Sequence, residues 1–272
     1  MCLILLSFQP QTETPLLIAA NRDEFYRRSA APLGWWPGGA LLAGRDMGYS
    51  SALTRLARRI GLQKAPELGT WLGVNRAGRF AAITNVREPG KENANARSRG
   101  LLVSAFLDGH CSAEDYAAEI MSSASAYNGF NLLFGDARAV YYFSNRAPGP
   151  ALKLQPGTYA LSNAQLDTPW YKVRKIQWEF SRLRQPVAVE DLFRIFADDT
   201  AAPDDEVQQT GLPFAIEKGL SSVFIKLPGY GTRVTSVVTF KAGGPVVFIE
   251  RTYERGKFSF EREFRFTTGE YP

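Results

Sequence analysis

The residues best equipped for chemistry lie at the start of the chain: Cys2, then Asn21-Arg22-Asp23-Glu24 after an intervening turn. A cysteine attacks as its thiolate and needs a base to take the proton. The chain has a single histidine, His110, far along the sequence. An initiator methionine is ordinarily trimmed before a residue as small as cysteine, which would leave the α-amino group on the nucleophile itself. That amine has a pKa of about 7.7–8.0 and serves as a general base near neutrality. Retention of Met1 would remove the base. On this stretch alone the other reading of Cys2 is a small buried hydrophobe at a strand start, and both stand.

The elements that would position these groups are legible nearby. Leu3 to Leu6 and Leu16 to Ala20 are apolar runs flanking a polar turn, Gln9 to Pro15, the pattern of a β-hairpin with buried strands. Pairing of the two strands returns Cys2 to the neighbourhood of Arg22 and the acids after it. Adjacent strand residues point to opposite faces, so Arg22 and Asp23 converge only with a bulge. Further along, Pro32 to Gly39 reads as a loop and Ala40 to Ala43 as a short strand. Ser50 to Leu62 reads as a basic amphipathic helix docked on the body rather than a membrane-binding one. A second hairpin spans Gly69–Asn75 and Gly78–Asn85. Helices are expected from Gly100 and from Ala113, with Ser112 as N-cap, and over Trp170–Leu183 and Val189–Ala197. Asn131–Phe134 and Ala139–Ser144 form a hairpin, Leu152–Leu154 and Thr158–Leu161 continue its sheet, and Ser221–Lys226, Arg233–Phe240, Val246–Tyr253 and Phe258–Phe266 are closing strands. This order predicts an α+β layered fold with a mostly antiparallel sheet. No repeat or linker divides it, so one domain is expected over 1–272.

Composition narrows the function. The 272 residues are 45% hydrophobic and 22% charged, with a formal net charge of +5. The basic residues are dispersed and no nucleic-acid motif is present, so no nucleic-acid partner is expected. Two cysteines and one histidine leave no material for a disulfide framework, a cysteine-rich zinc site or a histidine-based metal site, and no cofactor is expected. Leu3–Leu6 is too short for a signal peptide, and no apolar run approaches a membrane span, so the expected location is the cytoplasm.

Several phrases together resemble one family. Asn21-Arg22-Asp23-Glu24 is the motif that names the NRDE family, also called the transport-and-Golgi-organisation family. It is joined by Gly69-Thr70-Trp71-Leu72-Gly73-Val74-Asn75, Arg97-Ser98-Arg99-Gly100, Tyr127-Asn128-Gly129-Phe130-Asn131, Pro156 to Asn163, Leu166 to Trp170 and Tyr230-Gly231-Thr232-Arg233. These run nearly the length of the chain. The family in turn resembles the N-terminal nucleophile hydrolases of the choloylglycine hydrolase and penicillin V acylase type, which implies a four-layer αββα sandwich. It also implies site residues: Cys2 as nucleophile, Arg22 and Asp23 supporting it, Asn163 and Asn85 as oxyanion donors, and a late strand arginine, Arg233. The spacing between arginine and acid departs from that of those enzymes, which leaves Asp23 versus Glu24 open. Asn21, Glu24 and Asn75 are further candidates.

The resemblance implies hydrolysis of a non-peptide amide or ester of a small acylated substrate. The alternative is a non-catalytic carrier or chaperone of an apolar ligand such as haem, acyl-CoA or lipid. Met47 to Leu68 stands as an apparent insertion between two family-matching phrases, where it would shape access to the pocket.

Overall fold

The computed structural model describes residues 2–48 and 69–269. In chain order it begins with strands β1 (Cys2–Phe8), β2 (Leu16–Phe25), β3 (Ser29–Trp35), β4 (Leu41–Gly48), β5 (Leu72–Asn75) and β6 (Phe80–Asn85). Helices α1 (Gly100–Asp108) and α2 (Ala113–Ser123) follow, then β7 (Phe130–Gly135), β8 (Val140–Ser144), β9 (Leu152–Lys153) and β10 (Gly157–Leu161). Helices α3 (Tyr171–Ser181), α4 (Val189–Phe196) and α5 (Phe214–Gly219) precede β11 (Lys226–Leu227), β12 (Tyr230–Phe240), β13 (Val246–Glu254) and β14 (Lys257–Phe266).

The strands form two seven-stranded antiparallel sheets. The first has the order β10-β1-β2-β12-β13-β14, with β11 beside β12; the second runs β3 through β9 in sequence. The period-2 alternation of β1 and β2 explains how the layers assemble. Ile4, Leu6, Ile18 and Ala20 face the second sheet and pack with Leu72, Phe80 and Leu133. Leu3, Leu5, Leu17 and Ala19 face the other way, against Val173, Ile176, Phe193 and Phe196 of α3 and α4. On the far side of the second sheet, Val103, Phe106, Tyr116 and Ile120 of α1 and α2 cover Ala81, Leu132 and Phe134. The result is the αββα sandwich that the resemblance implied. Each large apolar side chain so buried contributes roughly 1.5–3 kcal/mol. Ser112 caps α2 as expected, its Oγ accepting from the Asp115 N–H at 3.0 Å.

Three elements differ from the sequence reading. Residues 29–35, including Pro32, form β3 rather than a loop. Proline is tolerated there because β3 is a sheet edge and its register against β4 shifts between Ala31 and Gly34. Only Lys226 of the Ser221–Lys226 run is strand; Ser221 and Ser222 instead turn the chain, their hydroxyls donating to Lys218 O and Phe224 O. The strands near Leu152 and Thr158 do not continue one sheet: β9 ends the second sheet and β10 edges the first. The Ser50–Leu62 helix, and all of the 47–68 insertion beyond Met47 and Gly48, lie outside the described residues.

Candidate functional site

The N-terminal hairpin sets the register of the site. Cys2 is the direct antiparallel partner of Arg22 across β1 and β2. By alternation both side chains extend the face of Ile4 and Ala20, which meets the second sheet. There they line a polar cleft of about 560 Å³ together with Glu24, Asp46, Trp71 and Asn85, and with the segment that leads into α1. Cys2 is half-buried. Burial pushes its thiol pKa up, Asp23 and Glu24 add to the rise, and Arg22 opposes it. The thiol therefore needs a base close by to ionise.

Arg22 is 4% exposed. Its guanidinium lies over the Trp71 ring at 4.5 Å, with Glu24 and Asp46 carboxylate oxygens at 3.8 and 3.7 Å. Arg28 completes this cluster, holding Asp46 through Nε bonds of 3.0 Å to both carboxylate oxygens. These contacts hold the Asp46 carboxyl below its usual range despite burial. Trp71 reaches Arg22 because Gly44 opposite it has no side chain: a Cβ there would stand 2.3 Å from the indole.

Asp23 points to the opposite side of the sheet. β2 stays regular, and the bulge falls in its partner β12, between Thr232 and Val234. Asp23 is 1% exposed and accepts from Thr232 Oγ1 at 2.7 Å. Burial raises its pKa, opposed by the charge of Lys172. Lys172 is itself fully buried, donates to Leu220 O at 3.0 Å, and has its pKa pulled down to about 8 by desolvation. Beside them Arg87 and Glu217 form a buried pair at 2.8 Å, and the Tyr230 hydroxyl is buried without a hydrogen-bond partner among the described residues. This polar layer under the helices was not signalled by the sequence, where Lys172 and Glu217 are ordinary helix charges.

The two asparagines meet at the junction of the sheets. Asn163 Nδ2 donates to Asn85 O at 2.9 Å and to Asn85 Oδ1 at 3.1 Å. Asn163 thus spends its amide on Asn85 and does not line the cleft; Asn85 does. With Oδ1 held, Asn85 Nδ2 makes one long contact, 3.4 Å to Val86 O, and its N–H is available to a ligand.

The remaining candidates are placed elsewhere. Arg233, at the β12 bulge, donates through Nη1 to the carbonyls of Phe25, Tyr26 and Arg28, holding the β2–β3 turn. Asn21 bridges β2 to Phe196 O and Val223 O behind the sheet. Asn75 bonds Leu107 O and Arg79 N–H at the turn between β5 and β6. A larger and more open groove, about 1020 Å³, lies along Phe25, Tyr26, Lys226 and Arg255, and no cysteine, serine or threonine is among the described residues that line it. Among the described residues no cluster of three His, Cys, Asp or Glu side chains is arranged for a metal, and no helix is long and apolar enough to cross a membrane.

Comparison with known proteins agrees with the phrases in the sequence. The chain is 34% identical to the Transport and Golgi organization protein 2 homolog of Bos taurus and 32% identical to that of Homo sapiens, each alignment covering 93% of both chains. The Drosophila melanogaster protein of that name is 27% identical, over 92% of this chain and 93% of its own. Among solved structures, the C2A mutant of the conjugated bile acid hydrolase from Clostridium perfringens aligns over 98% of both chains, with 10% identity and a TM-score of 0.43. The family model for Transport and Golgi organisation 2 matches residues 1–255, and the chain belongs to that family.

Proposed function

We propose that the chain is a cysteine-nucleophile N-terminal hydrolase that cleaves a non-peptide amide or ester bond of a small acylated substrate. The observation that carries this reading is the pairing of Cys2 with Arg22 at the mouth of a polar cleft whose other wall presents the Asn85 amide. Once Met1 is removed, the Cys2 α-amine takes the proton from Sγ, and the thiolate attacks the substrate carbonyl carbon. The oxyanion so formed is met by the Asn85 N–H. Collapse breaks the carbon–nitrogen bond, the leaving amine takes the proton from the α-ammonium, and a thioester remains. Water, deprotonated by the same amine, then hydrolyses it. Arg22 favours the thiolate, and Asp23, held by the Thr232 hydroxyl and facing the charge of Lys172, orients the α-ammonium.

The described walls of the cleft do not favour a carrier of haem or an acyl chain. Apart from Trp71, Ile83, Gly100 and two alanines they are charged or hydrogen-bonding, and apolar cargo would leave those groups desolvated without partners. The test is the intact mass of the purified protein before and after a thiol-reactive amide or β-lactone probe. Loss of methionine and one adduct on Cys2 support the hydrolase; retained Met1 with an unreactive Cys2 overturns it.

A further inference from the structure

We infer that Lys172 is a positioning residue for the proposed reaction: its ammonium is the counter-charge that keeps Asp23 a carboxylate after the N-terminal amine has given up its proton. The inference deepens the hydrolase reading and rests on that reading's use of the Cys2 α-amine as base. Cys2 lies opposite Arg22, so its nitrogen is directed along β2 toward the next residue, Asp23. Lys172 is costly where it stands. It is the second residue of α3, where the positive end of the helix dipole disfavours a cation. It is also completely buried, which adds the cost of desolvation. Its hydrogen bond to Leu220 O at 3.0 Å satisfies a donor but supplies no charge.

A buried ammonium needs an anion near it. Among the described residues three carboxylates are buried: Asp23, Glu217 and Glu250. Glu250 faces the second sheet, where it holds the Leu33 N–H. Glu217 is committed to Arg87 at 2.8 Å and accepts from Gln208 and from the N–H groups of Thr210 and Leu212. Asp23 is left as the anion for Lys172. The segment 220–225 ties the two together. Lys172 grips it at Leu220 O, and Thr232, which donates to Asp23, accepts from the Ile225 N–H at 2.9 Å. Asn21, on the same face of β2 as Asp23, holds its middle at Val223 O. The other titratable groups facing this space are Arg87, Glu217, Tyr230 and the Cys2 thiol. Arg87 and Glu217 offset each other, and burial keeps the Tyr230 hydroxyl neutral. Without Lys172, the α-ammonium becomes the counter-ion that buried Asp23 retains, and an amine held protonated cannot take the thiol proton. With Lys172 in place, the carboxylate is already balanced and the amine is free to act as base.

The test reads the amine itself rather than turnover. In the Cys2→Ser protein the N-terminal amine remains and the thiol is gone. The rate of its carbamylation by cyanate, followed across pH and mapped by mass to residue 2, gives the midpoint at which the amine loses its proton. Lys172→Gln, made in that protein, keeps a donor for Leu220 O and loses the charge, and should move the midpoint up by about one pH unit. Lys172→Arg keeps the charge and should leave the midpoint near its starting value. Should Lys172→Gln fail to fold, Asp23→Asn added to it removes both charges and should restore folding. An unmoved or lowered midpoint in the folded glutamine variant, an arginine variant that shifts as far, or no recovery in the paired variant overturns the inference. An unmoved midpoint alongside a trimmed and reactive Cys2 in the wild-type protein overturns this inference alone. Retained Met1 overturns the hydrolase reading and this inference with it.

Discussion

Cys2 and Arg22 face each other as direct partners across β1 and β2, on the side of the first sheet that meets the second. The pairing places a fixed positive charge beside a thiol whose pKa burial raises. Removing that charge should make the thiol harder to ionise. Arg22→Gln is expected to slow alkylation of Cys2 by iodoacetamide at neutral pH, and to move the rise of the rate with pH to more alkaline values. Arg22→Lys keeps the charge but loses the planar stacking on Trp71, and should fall between the two. An unchanged pH profile in Arg22→Gln would mean that the arginine serves packing alone.

The asparagine pair gives a graded prediction. Asn85 presents its amide to the cleft, whereas Asn163 holds Asn85 from behind. Asn85→Ala should lower kcat by about 10²–10³ on any substrate found, the usual cost of a lost oxyanion donor. Asn163→Ala should cost less in kcat and more in stability, because it leaves the half-buried Asn85 carbonyl groups without their partner. Steady-state kinetics with a thermal melt on each variant separates the two. Equal losses of kcat with unchanged melting would place both amides on the substrate.

The difference between these asparagines marks where a sequence stops being informative. The N-terminal hairpin was legible because apolar runs and turn residues are local signals, and strand length alone brought Cys2 to Arg22. Asn163 and Asn85 are both asparagines at strand ends, and what separates their roles is a hydrogen bond between two sheets, which no local pattern encodes. Glu250 was invisible for a related reason. On β13 it continues the face of Val246 and Phe248 as a single charged position, and its burial follows from the stacking of the second sheet above it. Pro32 misled because a proline is read as a break, while an edge strand with a bulge can hold one.

Gly44 offers a test of how the second sheet supports Arg22. The indole of Trp71 fills the space where a side chain at Gly44 would be, and the same indole underlies the Arg22 guanidinium. Gly44→Ala forces the ring to move, at a cost of about 1–3 kcal/mol in a packed interior. The displaced ring should also lower Cys2 reactivity, although residue 44 is not among those lining the cleft. Chemical denaturation and alkylation rates measured on one preparation check both halves. Destabilisation with unchanged Cys2 reactivity would disconnect Trp71 from the site.

Glu250 gives the stability a pH dependence of predictable sign. It is 1% exposed, and accepts from the Leu33 N–H at 2.8 Å and from Ser236 Oγ at 3.3 Å. Burial raises its pKa from 4.5 to about 7, opposed by those bonds and by the charges of Arg22 and Arg262. A carboxyl with a raised folded pKa stabilises the fold fully while it is protonated in both states, below the unfolded value. As pH rises from about 4.5 to about 7, the unfolded chain releases the proton while the folded one retains it, so this contribution is lost. The loss is on the order of 3 kcal/mol. Glu250→Gln keeps a carbonyl acceptor for Leu33 N–H and cannot ionise. Denaturation midpoints measured across that window should therefore fall more steeply with pH in the wild-type protein than in Glu250→Gln, and the difference between the two curves isolates this carboxyl from every other acid in the chain. Parallel curves would mean that Glu250 is already ionised in the folded protein throughout the window, with Arg22 and Arg262 overcoming its burial.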